Sequence, residues 1–327
     1  MWLAVSLPLK LERMELEFIE WLRTHVPTHG RARLGLSDDA AIVSLAGRGE
    51  VVVTTDLLTD GVDFELGKHE LRRIGRQALG ANLSDLSAMA AKPLAAFISV
   101  ALPRAGAAGF SALELAIGAY EGLLPLAAEY DVAIAGGDTN TYDGPLVLSV
   151  TALGEITSGR PLTRSGGRAG DWLLVTGVLG GSILGHMLDF TPRVREALLL
   201  HEKYRLAAGI DISDGLALDA SRLARESSCG AVLYTDRVPI SPDAVRLAET
   251  DGATDVSAAA LRHALGDGQD FELLIAMRPE VAERILRERP LECDITHVGE
   301  FTAEPGLWQQ VADSERRPME ALGWRHN

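Results

Sequence analysis

The chain is short of cysteine, of lysine and of long apolar runs, and each shortage excludes a class of function. Its two cysteines, Cys229 and Cys293, cannot build a disulfide framework or a four-ligand zinc site. A reduced, cytoplasmic setting is expected from that. Among 31 basic residues only Lys10, Lys68, Lys92 and Lys203 are lysine. The 46 acidic residues outnumber the basic ones and leave a net charge of −15. Nucleic acid and anionic membrane are therefore not expected partners, because both demand a basic footprint. No uncharged apolar run approaches the roughly 18–20 residues of a membrane span. The opening MWLAVSLPL is apolar but has no basic n-region and no A-x-A-like site after it. It is not expected to act as a signal peptide, and Met14 is an alternative start. The phosphate loop G-x-x-x-x-G-K-[ST] is absent. The eight histidines are scattered, and none sits in a motif with Ser or Cys that reads as a nucleophile and its base.

What is present suits a sizeable α/β protein. With 327 residues and 47% apolar content the chain can build two cores. Apolar periodicity predicts helices over residues 15–26, 68–91 and 111–130, and strands over 50–54, 95–102, 132–135 and 145–156. The helix over 68–91 holds Gly80, Asn82, Ser84 and Asp85, poor interior residues that suggest a task for its C-terminal half. A turn is expected at Gly136-Gly137-Asp138. Residues 158–170, rich in Gly, Arg and Ser, are the expected junction between two domains. Beyond it strands are expected at 172–176, 209–212, 231–234, 271–276 and 296–301. Helices are expected at 181–188, 192–206, 216–227 and 279–289, with one more between 234 and 271. The expected class is α/β (α+β), as two mixed α/β domains at 14–157 and 158–327.

Six aspartates sit beside small or hydroxyl residues at the ends of apolar runs: Asp39, Asp56, Asp85, Asp138, Asp211 and Asp214. Each alone is accounted for as a turn or cap residue; Asp85, for instance, would suit the N-cap of a short turn from Leu86. Together, with Asp38 adjacent to Asp39, they ask for a counter-charge. An all-oxygen cluster selects a hard cation such as Mg²⁺, which commonly accompanies phosphates. The absence of a base fits phosphoryl transfer to another phosphate, since a monoester is already largely a dianion at neutral pH. The glycine turn at 176–182 is either an anion cradle or, the favoured alternative, a tight strand–helix turn.

The motifs GLSDDAAIV, TTDLLTDGVDF, ALGANLSDLSAMAAKP, AIAGGDT, LTRSG, IDISDGLALD and ALGDGQDFEL follow one another in an order that resembles the thiamine-monophosphate kinases. These are members of the aminoimidazole-ribonucleotide synthetase-like ATP-binding superfamily. A selenophosphate synthetase of that superfamily would need a reactive N-terminal Cys, which is lacking. The resemblance runs from about Glu15 to Trp324. It implies ATP held between the two domains, a homodimer formed through the N-terminal sheet, and several Mg²⁺ ions. It implies ATP-dependent conversion of thiamine monophosphate to thiamine diphosphate by direct in-line transfer, with no side chain as catalytic base. By position, Asp39, Thr54, Thr55, Asp56, Asp85, Asp138, Asp211 and Asp214 resemble the Mg²⁺ set. Gly137, Asp138, Arg164 and Ser213 resemble ATP contacts, and Asp63, Gln269 and Trp324 resemble substrate contacts. Relatives usually carry His where this chain has Asp63 and Glu where it has Gln269. Those departures leave open another phosphate or carboxylate acceptor, or a non-catalytic nucleotide or thiamine-phosphate sensor.

Overall fold

A computed structural model describes residues 21–25, 31–34, 38–45, 49–312 and 314–324. Residues 21–25 are helical, and the rest of the helix expected over 15–26 lies outside the described residues except for that stretch. Residues 1–13, and 35–37 of the polar turn before Asp39, also lie outside them.

Among the described residues the strands form two sheets. The first holds β1 (Ala32–Leu34), β2 (Ala41–Ser44), β3 (Glu50–Thr59), β4 (Ala91–Pro103), β5 (Ala133–Tyr142) and β6 (Val147–Ile156), in the order β1-β2-β3-β6-β4-β5. All neighbours run antiparallel except β4 and β5. That parallel pair needs a crossover, and helix α2 (Ala112–Glu129) supplies it. The second sheet holds β7 (Trp172–Thr176), β8 (Ala208–Ile212), β9 (Gly230–Tyr234), β10 (Glu272–Met277), β11 (Ile295–Thr302), β12 (Leu307–Gln310) and β13 (Arg317–Pro318). Its order is β13-β12-β9-β11-β7-β10-β8.

Helix α1 (Leu71–Ala88) joins the two halves. Its apolar residues Ile74, Leu79, Leu83 and Leu86 are fully buried against the first sheet and α2. Its polar residues do not break it, because they bond along their own helix. Asn82 Nδ2 donates to the carbonyl of Ala78 at 3.1 Å, and Ser87 Oγ to that of Leu83 at 2.6 Å. Asp85 is thus inside the helix rather than capping a new turn. Helix α2 opens on a capping box between Ser111 and Glu114. The two helices touch backbone to backbone. A Cβ on Gly75 would lie 1.8 Å from the carbonyl oxygen of Ala119, and one on Gly122 would lie 1.6 Å from that of Arg72.

The helices cover one face of the first sheet, where Val52, Ile98 and Val150 are buried. On the other face Leu57, Leu94 and Phe97 are exposed. No helix among the described residues is long and apolar enough to cross a membrane.

Several expectations need correction. Gly136-Gly137-Asp138 is not a turn but the middle of β5. Without a Cβ, Gly137 passes over the carbonyl of Ile98, to which a Cβ would come within 1.8 Å. The helix expected over 181–188 is broken at Gly185, whose φ of 129° separates a 3-10 turn (Ser182–Leu184) from one helical turn (His186–Asp189). Two helices, Pro242–Thr250 and Val256–Gly266, stand where one was expected. Strands β1, β2, β12 and β13 were not foreseen, being short and weakly patterned.

The tight α1–α2 crossing yields a stability prediction. Gly75→Val or Gly122→Val should lower stability by about 1–3 kcal/mol or more, because a backbone carbonyl blocks the new side chain. Thermal unfolding against the wild type measures it.

Candidate active site

Four separate segments bring carboxylates to one place. Along β3 side chains alternate, so Thr54 and Asp56 share the helix-covered face with Val52 and Leu58. Asp85 arrives from the last turns of α1, Asp211 from the end of β8, and Asp39 from the segment just before β2. Carboxylate oxygens of Asp39, Asp85 and Asp211 lie within 4.8 Å of one another. Each is oriented by a neighbour. Thr54 Oγ1 donates to Asp85 Oδ2, Ser84 Oγ donates to Asp211 Oδ2 at 2.6 Å, and Arg164 pairs with Asp39 Oδ1. The backbone N–H of Arg164 donates to Asp38 at 3.0 Å.

The electrostatics follow from burial plus like charge. Burial, then Asp56, Asp211 and Asp39, push the Asp85 carboxyl well above its ordinary range. Burial and then Asp39 do the same to Asp211. Asp56 is raised to about 6 by burial and by Asp63, and Asp38 to about 7 by burial and Asp39. Burial works against the Arg164 charge, but Asp39, Asp38 and Asp211 outweigh it and hold the guanidinium protonated. Asp39 Oδ2 is buried with no hydrogen-bond partner. A hard divalent cation fits this set: three convergent carboxylates, one with an orphaned oxygen.

The other expected site residues divide into two groups. Ser213, Asp214, Gln269 and Trp324 are tied together, since Gln269 N–H donates to the Ser213 carbonyl at 2.6 Å and Trp324 N–H to that of Asp214 at 2.8 Å. The Asp214 carboxylate pairs with Arg222 and stays outside the three-carboxylate group. Asp63 stands beside Asp56 and accepts the Thr59 N–H at 2.7 Å. Thr55, Gly137 and Asp138 are not brought to the cluster. The Thr55 hydroxyl turns to the open face and bonds the Val150 carbonyl at 3.2 Å. Asp138 is exposed on the edge strand, and its register, Asp138 to Ser99 to Ser149 to Leu57, puts it on that same open face. In the glycine turn, the N–H groups of Gly180 and Gly181 are taken by Asp270 at 2.8 Å and Asp267 at 3.0 Å, so the tight-turn reading holds.

Sequence reasoning missed Asp219, Arg222 and Asp270 as site builders and marked Ser84 only as a poor interior helix residue. Asp219 is fully buried and accepts the N–H groups of Asp214 and Gly215 at 2.9 and 3.1 Å, which shapes the Ser213–Gly215 loop. Its only signal was a charge three residues into an apolar helix start, Leu216-Ala217-Leu218-Asp219.

Residues 37–156 match the AIR synthase related protein N-terminal domain family. Over 320 residues the chain is 40% identical to the thiamine-monophosphate kinase of Rhodopirellula baltica, covering 96% of this chain and 97% of that one. The chain belongs to the thiamine-monophosphate kinases. The crystal structure of such a kinase from Stenotrophomonas maltophilia is 30% identical, with a TM-score of 0.68 over 90% of this chain and 96% of that chain. A further structure, AaThiL complexed with AMPPCP and TMP, has a TM-score of 0.76 at 24% identity. It covers 99% of this chain and 100% of that chain and shares its fold.

The kinase should lose stability as pH rises when no divalent cation is supplied. Asp38, Asp219 and Asp270 are raised to about 7 and Asp56 to about 6, from an ordinary 3.8. The folded state therefore binds these protons more tightly than the unfolded chain, and its advantage is lost between about pH 4 and 7. His297, pushed down to about 4 by burial, acts oppositely, as do His69 and His201, lowered by the same cause, but the raised carboxylates outnumber them. The melting temperature in chelator should fall from about pH 5 to about pH 8, and excess Mg²⁺ should recover more at the higher pH.

Proposed function

We propose that this kinase transfers the terminal phosphoryl group of ATP to the phosphate of thiamine monophosphate, giving ADP and thiamine diphosphate. The observation that carries it is the buried meeting of Asp39, Asp85 and Asp211 within 4.8 Å, with Asp39 Oδ2 unpartnered. Family membership and the bound AMPPCP and TMP of AaThiL support the same reading. Magnesium ions held there would offset the repulsion between two phosphate-bearing reactants as they approach.

The chain's own residues then bind and orient. Asp39, Asp85 and Asp211 hold the metal, with Asp56 beside them. Thr54 aims Asp85, and Ser84 aims Asp211. Arg164, already turned toward the carboxylates, steadies the polyphosphate, and the loop through Ser213 receives the nucleotide. Gln269 and Trp324, tied to that loop, face the acceptor. No side chain needs to remove a proton, because the attacking phosphate oxygen is ionised at neutral pH. The reading places the enzyme in the cytoplasm and divides it at 157/158.

Asp138 takes its role through a second copy. In one chain it lies three strand spacings, roughly 14 Å, from β3 and on the opposite face to Asp56. The exposed apolar side chains Leu57, Leu94 and Phe97 on that face suit a homodimer interface. A dimer so formed brings Asp138 and Gly137 of one copy toward the nucleotide of the other.

Incubation with ATP, Mg²⁺ and thiamine monophosphate should release ADP and form thiamine diphosphate; binding without turnover would favour a sensor instead. Asp56→Asn and Asp138→Asn should each lower kcat at least about a hundredfold with the fold intact. Mixing the two inactive variants should regain activity if Asp138 serves the other copy's site. Phe97→Glu should shift sedimentation from dimer to monomer. A second reading rests on Asp63 crowding Asp56, which suits an acceptor of lower charge. An acceptor screen distinguishes them: ADP release with other phosphates or carboxylates but not with thiamine monophosphate points to a different natural acceptor, whereas a Gln269→Glu variant that turns over thiamine monophosphate faster supports the first reading.

A further inference from the structure

The acceptor loop is wound the wrong way for its residues. Gly268, Gln269 and Phe271 have φ of 74°, 55° and 51°, and only the first is a residue that adopts such angles freely. Strained backbone of this kind persists only where its surroundings over-determine it. Here two supports do so. Asp270, 2% exposed, accepts the Gly180 N–H at 2.8 Å and the Ser182 hydroxyl through the same oxygen, Oδ1. Phe271 stacks on Phe190 with ring centroids 4.0 Å apart, and Phe190 in turn lies against α1 at Gly80, where a Cβ would come 2.8 Å from its ring. The loop is therefore pinned to the glycine turn on one side and to the metal-bearing helix on the other.

We propose that Asp270 is a positioning residue for the acceptor: its carboxylate holds the left-handed turn closed, and that closure sets Gln269 against the Ser213 loop. The inference rests on the reading of Gln269 as an acceptor contact. Asp270 acts through Gln269, whose N–H reaches the Ser213 carbonyl at 2.6 Å. The nucleotide side has an anchor of its own: it shares the Ser213 carbonyl with Gln269, but Asp219 also accepts the N–H groups of Asp214 and Gly215. Loss of Asp270 should thus loosen the acceptor far more than the nucleotide, whose loop keeps its Asp219 anchor.

Steady-state kinetics separate this from a structural role. In Asp270→Ala the KM for thiamine monophosphate should rise at least about tenfold while the KM for ATP stays near wild type. Asp270→Asn keeps the Oδ1 acceptor and should restore the acceptor KM. Ser182→Ala removes one of the two donors and should shift the acceptor KM in the same direction but less, which serves if Asp270→Ala does not fold. A purely structural residue would lower the active fraction and leave both KM values unchanged; that result, or equal shifts in both, overturns the proposal. Hydrogen exchange supplies a readout independent of activity. The Gln269 and Gly180 amides should lose protection in Asp270→Ala, and unchanged protection overturns the lock even if wild-type enzyme proves inactive on thiamine monophosphate.

Discussion

Repulsion among buried carboxylates is the constraint on which this molecule turns. Asp39, Asp85 and Asp211, carried by three separate segments, are held within 4.8 Å of one another. Each is aimed by a hydroxyl or a guanidinium, so the arrangement is built rather than tolerated. Burial makes the charge expensive and makes any cation bound there correspondingly effective. A single Arg164 cannot balance the group, and Asp39 keeps one oxygen without a partner.

The fold distributes the labour around that point. Helix α1 is packed so tightly on α2 that only glycine fits at the crossing, which fixes where its last turns deliver Ser84 and Asp85. The same helix meets β8 of the second sheet, from which Asp211 comes. The three-carboxylate group thus spans both halves, and any rotation of one half against the other would disperse it. The acceptor side is made differently, from a strained turn whose geometry is imposed by Asp270 and Phe271. Rigid helix and sheet carry the charge, while loops carry recognition.

Asp63 and Gln269 are the proposed acceptor contacts that depart from the pattern the family resemblance implies. Asp63 raises the pKa of Asp56 from directly beside it. Gln269 bonds the Ser213 carbonyl through its backbone N–H, not its side chain. Under the proposed assignment, both departures fall on the half that would meet the acceptor.

Much of this was legible in the linear order of residues. Acid side chains beside small residues at the ends of apolar runs pointed to Asp39, Asp85 and Asp211, which the fold brings within 4.8 Å, and helical periodicity located α1 and α2, because both signals are local. What only the tertiary structure decided is which face each residue takes and whom it meets. Thr54 and Thr55 are adjacent in the chain yet lie on opposite faces of β3. Gly136-Gly137-Asp138 has turn composition yet forms an edge strand, because Gly137 can cross the Ile98 carbonyl. Asp214 and Asp211 share a motif, but Arg222 draws the first away while Ser84 holds the second in the cluster. The partners that orient Asp85 and Asp211 lie 31 and 127 positions from them, and no local pattern encodes contacts at that range.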